Sequence, residues 1–248
     1  MKVPYVKAIN DALKEEMRRD GKIVVYGEDV AEFGGIFGET RGLLEEFGPK
    51  RVRNTPIAET AIVSSAVGAA ITGMRPCVEL MYADFTMGAF TEIFHLVGKW
   101  RYMHGPEYKL PLVIRCASGA SNGAGSEHSN VVESLFMHAP GLTIITPSCA
   151  YDAKGLLKSA IRSDNPVLFC EPKQLYQAKQ EIADDVYGSD YTIPIGVADV
   201  KRPGRDVTLV AIGLMVPRAL EAAEKLSAEG IEVEVIDPRT LAPLDTDT

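Results

Sequence analysis

Short, uninterrupted apolar runs alternate with amphipathic helical patterns along most of this chain, and that alternation limits the folds open to it. From Tyr5 to Arg19 the apolar positions Val6, Ile9, Leu13 and Met17 share one face and the pattern stops at Asp20-Gly21, which predicts a helix. The run that follows, Ile23-Val24-Val25-Tyr26, has no polar alternation. A strand buried on both faces of a parallel sheet reads this way. Similar runs stand around 76–82, 112–116, 142–146 and 167–170, with helices predicted near 40–47, from 59 onward, over 85–103 and over 150–162. The pattern predicts an α/β fold with a doubly wound, mainly parallel sheet over residues 1–176.

Residues 177–205 break that rhythm with Ala183-Asp184-Asp185, Gly188-Ser189-Asp190 and Arg202-Pro203-Gly204, and they read as a linker. A second α/β unit is predicted over 206–248, with a strand from Val207, a helix from Val216 and another strand from Ile231. One βαβ of this size cannot cover both faces of its sheet, so this C-terminal domain is expected to be truncated. The formal charge of -8 argues against a nucleic-acid surface. Met1-Lys2-Val3-Pro4-Tyr5 leads straight into a helical pattern, and no apolar run is long enough to span a bilayer. The expectation is a cytoplasmic chain with no membrane partner. Cys77, Cys116, Cys149 and Cys170 are scattered without zinc-like spacing and read as reduced thiols.

Chemistry is expected at the carboxyl ends of the parallel strands. The first run ends in the acidic pair of Gly27-Glu28-Asp29. Glu59 opens a helix crowded with small residues, including Ser64, Ser65, Gly68 and Ala69. A carboxylate there either stabilises a helix N-terminus against the macrodipole or serves a cofactor pocket. The small residues suit close approach between subunits and tight packing within one domain equally well. His128 lies in the Gly-rich stretch from Gly119 to Ser129, where a loop can bring to a substrate an imidazole able to exchange protons near neutral pH. His95, His104 and His138 lack such a setting and read as structural or surface residues.

Many ordered fragments carry a family resemblance. Gly27-Glu28-Asp29-Val30, Gly34-Gly35, Phe47-Gly48-Pro49 and Thr55-Pro56-Ile57-Ala58-Glu59 are followed by Gly73-Met74-Arg75-Pro76, His128-Ser129, Pro140-Gly141-Leu142 and Asp152-Ala153-Lys154-Gly155-Leu156-Leu157. The series runs to Asp237-Pro238-Arg239-Thr240-Leu241-Ala242-Pro243-Leu244-Asp245. Together they resemble the beta subunit of the thiamine-diphosphate-dependent 2-oxo acid dehydrogenases, of the transketolase-like superfamily, whose members act on pyruvate, branched-chain 2-oxo acids or acetoin.

The resemblance implies an oxidoreductase that decarboxylates a 2-oxo acid, pyruvate or branched-chain, and passes the acyl group to lipoamide. Acetoin cleavage, half of a split transketolase-like enzyme, and a catalytically silent scaffold are the alternatives. The match gives Glu59 the task of hydrogen-bonding the cofactor's pyrimidine ring, and it places Glu28, Ile57, Met81 and Phe85 around that ring. Substrate binding and acyl transfer fall to His128. Relatives often carry Gln before this histidine, whereas Glu127 stands here, a carboxylate that would favour imidazolium and disfavour an anionic substrate. No Gly-Asp-Gly occurs, so the resemblance implies an alpha subunit, in an alpha2beta2 heterotetramer, that holds the diphosphate and magnesium. A potassium site on the main-chain carbonyls of Leu112, Ala160, Ser163 and Asn165 and docking to a dihydrolipoyl acyltransferase follow from the same match.

Overall fold

The computed structural model describes residues 1–121 and 123–248. Among the described residues twelve strands form three sheets: β1 (Lys2–Pro4), β2 (Ile23–Gly27), β3 (Val52–Asn54), β4 (Arg75–Leu80), β5 (Val113–Ser118), β6 (Thr143–Ile145), β7 (Val167–Pro172), β8 (Lys179–Glu181), β9 (Asp199–Arg202), β10 (Val207–Val210), β11 (Val233–Asp237) and β12 (Thr240–Ala242). The helices are α1 (Tyr5–Arg19), α2 (Leu43–Phe47), α3 (Glu59–Ile71), α4 (Gly98–His104), α5 (Glu133–Phe136), α6 (Ala150–Arg162), α7 (Asp184–Tyr187) and α8 (Met215–Ser227).

The main sheet has seven strands in the order β12-β6-β7-β5-β4-β2-β3, parallel throughout except for β12, which runs antiparallel to β6. The apolar runs form its middle, where both faces must be covered. On one face α1 and α6 pack Ile9, Leu13, Leu156 and Leu157 against Val25 and Phe169. On the other, α3 and the segment before α4 pack Ile62, Val63, Ile93 and Val97 against Val78, Ile114 and Leu168. This is the doubly wound α/β arrangement that the alternation predicts.

Three local outcomes differ from the sequence pattern. The helix expected over 85–103 is a succession of helical geometries, with a 3-10 turn at Ala83–Ala89, a π-helical turn at Glu92–Val97 and then α4. Inside the stretch read as a linker, β8 pairs antiparallel with β1, and β9 joins β10 and β11 in a separate three-stranded sheet. Near the end of the second unit, β12 returns to the edge of the first sheet. Long-range pairing of this kind leaves no trace in local periodicity.

In the second unit α8 covers one side of β10 and β11 around Val216, Ala223, Val233 and Val235, while Val207 and Val210 stay exposed. A buried polar junction links the units: Lys201 and Arg239 meet Asp152, and Ser148 donates a 2.5 Å hydrogen bond to Asp237. Cys77, Cys116 and Cys170 are buried, Cys149 is partly so, and all four are free thiols. No helix among the described residues is long and apolar enough to cross a membrane.

Candidate active site

Strand β2 pairs with β3 on one side and β4 on the other, so the direction of winding reverses at its edge. Open α/β sheets bind ligands outside the carboxyl ends of their strands at such a reversal. Glu28 directly follows β2 and is only 7% exposed, and its Oε1 has no hydrogen-bond partner. Burial pushes its carboxyl above the usual range, and the charges of Glu59 and Asp29 push the same way. Asp29 adopts φ 56, a left-handed turn, and its carbonyl accepts the Gly35 N–H at 3.0 Å, carrying the chain away from the strand end. The strand itself must end in glycine, since a Cβ at Gly27 would lie 2.5 Å from the Glu79 carbonyl oxygen.

Glu59 is the first residue of α3 and is half-buried. No side chain caps this helix, and Glu59 is the acidic residue of its first turn, where the helix dipole favours negative charge. The Glu59 carboxylate lies near enough for its charge to act on Glu28. A Cβ at Gly88 would lie 3.3 Å from Glu59 Oε2, and the Thr60 hydroxyl donates to the Gly88 carbonyl at 2.8 Å. These contacts fix α3 to the 3-10 turn that carries Phe85. Met81 and Phe85 are half-buried just beyond β4, whereas Ile57 is 81% exposed on the loop leading into α3.

His128 closes a 3-10 turn, Ser126–His128, in the loop after β5. Its ring stands edge-on to Tyr82 at 5.0 Å and 70°, and to Phe85 at 5.4 Å and 88°. Its Nδ1 is buried without a partner. Glu127 is held within its own loop: the Ser126 hydroxyl donates to its carboxylate at 3.0 Å, and that carboxylate lies against Gly125. A backbone hydrogen bond, then Ser126, hold its pKa low, and the His128 charge contributes less. The carboxylate thus engages its own loop more than the imidazole.

The turn at Ala83–Ala89 brings the two halves together, touching Glu59 through Gly88 and His128 through Phe85. Glu28, Glu59, Met81, Phe85 and His128 thus gather at one end of the sheet. Around them stand four residues that the sequence reading did not single out: Tyr82, Asp84, Asn130 and Lys173. Lys173 had one visible signal, a charge just beyond the apolar run 167–170. Buried polar atoms without partners also gather here, with Glu28 Oε1, Asp84 Oδ2 and His128 Nδ1 among them. They suit a polar heteroaromatic ligand that would satisfy groups the chain leaves open. The four potassium positions stand at the opposite end, where β5 and β7 begin and α6 ends. There the Leu112 carbonyl accepts the Val167 N–H at 2.9 Å, and Arg75 donates to the carbonyls of Ile161 and Ser163. Ser64 and Ser65 are exposed, and a Cβ at Gly68 would meet nothing within 4 Å, so these small residues of α3 face outward while Ala66 and Ala70 are buried in the core.

A mainly parallel doubly wound sheet, with two carboxylates, a phenylalanine and a histidine gathered beyond the carboxyl ends of its strands, places the chain among the α/β proteins. The family described as Transketolase, pyrimidine binding domain, matches residues 1–179, and Transketolase, C-terminal domain, matches residues 196–248. The chain is 48% identical over 241 residues to the 2-oxoisovalerate dehydrogenase subunit beta of Bacillus subtilis (strain 168), covering 97% of this chain and 73% of that protein. It is 46% identical over 251 residues to the acetoin:2,6-dichlorophenolindophenol oxidoreductase subunit beta of Cupriavidus necator, covering 97% and 73%. A solved structure described as split gene transketolase, inactive beta4 tetramer, superposes with a TM-score of 0.78 at 27% identity, over 98% of this chain and 73% of that one. The chain belongs to the transketolase-like family, among the beta subunits of the thiamine-dependent 2-oxo acid dehydrogenases. Membership implies thiamine diphosphate as the cofactor.

Proposed function

We propose that this chain is the beta subunit of a 2-oxo acid dehydrogenase that decarboxylates pyruvate or a branched-chain 2-oxo acid and passes the acyl group to lipoamide. The observation that carries the reading is the convergence of Glu59, Glu28, Phe85 and His128 on one turn. When bound, thiamine diphosphate supplies the electron sink for decarboxylation. Glu59 would hydrogen-bond the pyrimidine ring, beside Glu28, whose carboxyl is pushed up by burial and then by the Glu59 charge. Phe85 offers an aromatic surface for the ring, Met81 and Ile57 its apolar surroundings, and Gly88 leaves room for the Glu59 carboxylate. His128 has an imidazole nitrogen free to exchange a proton with the substrate.

The same reading gives the diphosphate and magnesium to an alpha subunit in an alpha2beta2 heterotetramer, with a dihydrolipoyl acyltransferase as the lipoyl partner, in the cytoplasm. The outward-facing small residues of α3 support close approach of another chain. A potassium ion on Leu112, Ala160, Ser163 and Asn165 would share its carbonyls with the Arg75 guanidinium. The test is co-expression with an alpha-type partner and turnover assays with pyruvate, 3-methyl-2-oxobutanoate and acetoin. Lipoamide-dependent oxidation of a 2-oxo acid by the pair, but not by this chain alone, is the expected result. Turnover of acetoin alone would transfer the reading to acetoin cleavage, which the 46% identity to the acetoin enzyme's subunit supports. Sugar-phosphate transfer, or inactivity with every partner, would support the split transketolase or silent scaffold that the 27% identical structure brings to mind.

A further inference from the structure

His128 stands at the end of an exposed, Gly-rich segment whose own hydrogen bonds are local, such as Ser129 Oγ to the Gly125 carbonyl at 2.6 Å. Residues 123–127 are exposed, and Gly119, Gly123 and Gly125 all adopt positive φ. The segment nevertheless meets the sheet at defined points. It leaves from β5, whose neighbours in the sheet are β7 and β4, and both neighbours reach across to hold it. From just beyond β7, the Lys173 ammonium donates to the His128 carbonyl oxygen while lying 4.4 Å from the centre of the Tyr82 ring. Lys173 is 5% exposed, a costly place for an ammonium unless its donors and its charge are used. From just beyond β4, Asp84 Oδ1 accepts both the backbone N–H of Asn130, at 3.2 Å, and its side-chain amide. The Gly119 N–H donates to the Asn130 carbonyl at 2.8 Å and closes the base of the loop.

We propose that Lys173 and Asp84 are positioning residues that clamp the His128 loop from the two flanking strands and hold the imidazole edge-on to Tyr82 and Phe85. The clamp rests on the reading of His128 given above only for its catalytic consequence; its geometry is independent of that reading. Lys173 fixes the main chain at His128 itself, and Asp84 fixes it two residues further on. Between two such ties the ring's approach to the aromatic pair is set by the sheet rather than by the exposed part of the loop. An ammonium and a carboxylate of opposite sign on either side also keep the clamp free of net charge where an anionic substrate would enter. Burial lowers the Lys173 pKa and Asp84 opposes that shift, so the carboxylate helps keep the lysine charged.

The chain has four histidines, so with this chain alone isotope-labelled and combined with an unlabelled alpha-type partner, the ring signals of all four can be followed by NMR, the His128 signal being identified by its loss in His128→Gln. Lys173→Met and Asp84→Asn are expected to move that signal toward the positions of the exposed His95, His104 and His138, and Lys173→Arg to restore most of the original position. On the same samples kcat is expected to fall at least tenfold in Lys173→Met with KM for the cofactor unchanged, and to recover in Lys173→Arg. A His128 signal unmoved in both Lys173→Met and Asp84→Asn overturns the clamp. A shifted signal together with full turnover in His128→Gln upholds the clamp and overturns the catalytic reading of the histidine, so the two failures are distinguishable.

Discussion

The acidic and histidine halves of the site are positioned by different means. Glu28 and Glu59 stand on regular structure, one at the end of β2 and the other in the first turn of α3. Regular backbone places both, and the missing side chain at Gly88 leaves space beside Glu59. His128 stands on a Gly-rich loop and is placed by side chains from neighbouring strands. Under the first arrangement a changed carboxylate alters chemistry while the scaffold stays put. Under the second, with the function proposed above, a change at Lys173 or Asp84 would act on the substrate only through the position of His128.

Glu59→Gln would sharpen this contrast most. It keeps the shape of the side chain and removes its exchangeable proton, so turnover of the assembled enzyme is expected to fall about 10²- to 10⁴-fold, with the thermal midpoint unchanged. A variant that keeps normal turnover would remove the acidic half from the chemistry. Next in size is Arg115→Leu. Arg115 is buried and binds Glu171 through Nε at 2.7 Å and Glu79 through Nη1 at 2.9 Å, joining β5 to β7 and β4 beneath the histidine half. Its loss takes the shared cation from two buried carboxylates, leaving Glu171 only the Tyr176 hydroxyl, and denaturant unfolding is expected to show a loss of about 3–5 kcal/mol. A smaller loss would mean that those strands are held together by packing alone.

Phe85→Ala touches both halves at once. Removing the ring should weaken thiamine diphosphate binding by up to about tenfold, from a stacking contribution of roughly 0.5–1.5 kcal/mol, and should disorder His128. Calorimetry on the assembled enzyme separates these effects from loss of fold. The smallest change is expected from Glu28→Gln. With its pKa raised in the folded chain, Glu28 favours folding below the unfolded carboxyl value, and that contribution is lost as pH rises through the folded value. Replacing it should therefore flatten the fall in stability between mildly acidic and neutral pH. Asp237, which burial pushes up to about 6, provides a comparison away from the site, since Asp237→Asn should flatten the same pH range without changing turnover. An unchanged pH profile of unfolding in either variant would show that its carboxyl ionises as freely in the folded chain as in the unfolded one.

Local pattern carried much of the fold. Helices α1 and α6 begin and end where periodicity and the Asp20-Gly21 stop predict, because amphipathic spacing and chain stops act over a few residues. The acidic half was legible for a related reason, since a carboxylate at a strand end or helix start announces its place through its neighbours in sequence. The return of β12 to the first sheet was not legible, and neither was the pairing of β8 with β1 across nearly the whole main domain. The 3-10 and π turns before α4 were equally hidden, since their side-chain pattern can also be laid on one continuous helix.

By itself, then, the sequence determined the alternating α/β order, the buried character of the central strands and the residue types able to bind a cofactor. Only the tertiary structure decided that Glu28 lies beside Glu59, that one turn joins both halves of the site, and that Lys173 and Asp84 reach His128 from either side. Periodicity records which face of an element is buried. The meeting of distant side chains depends on strand order and register, which arise only when the whole sheet assembles.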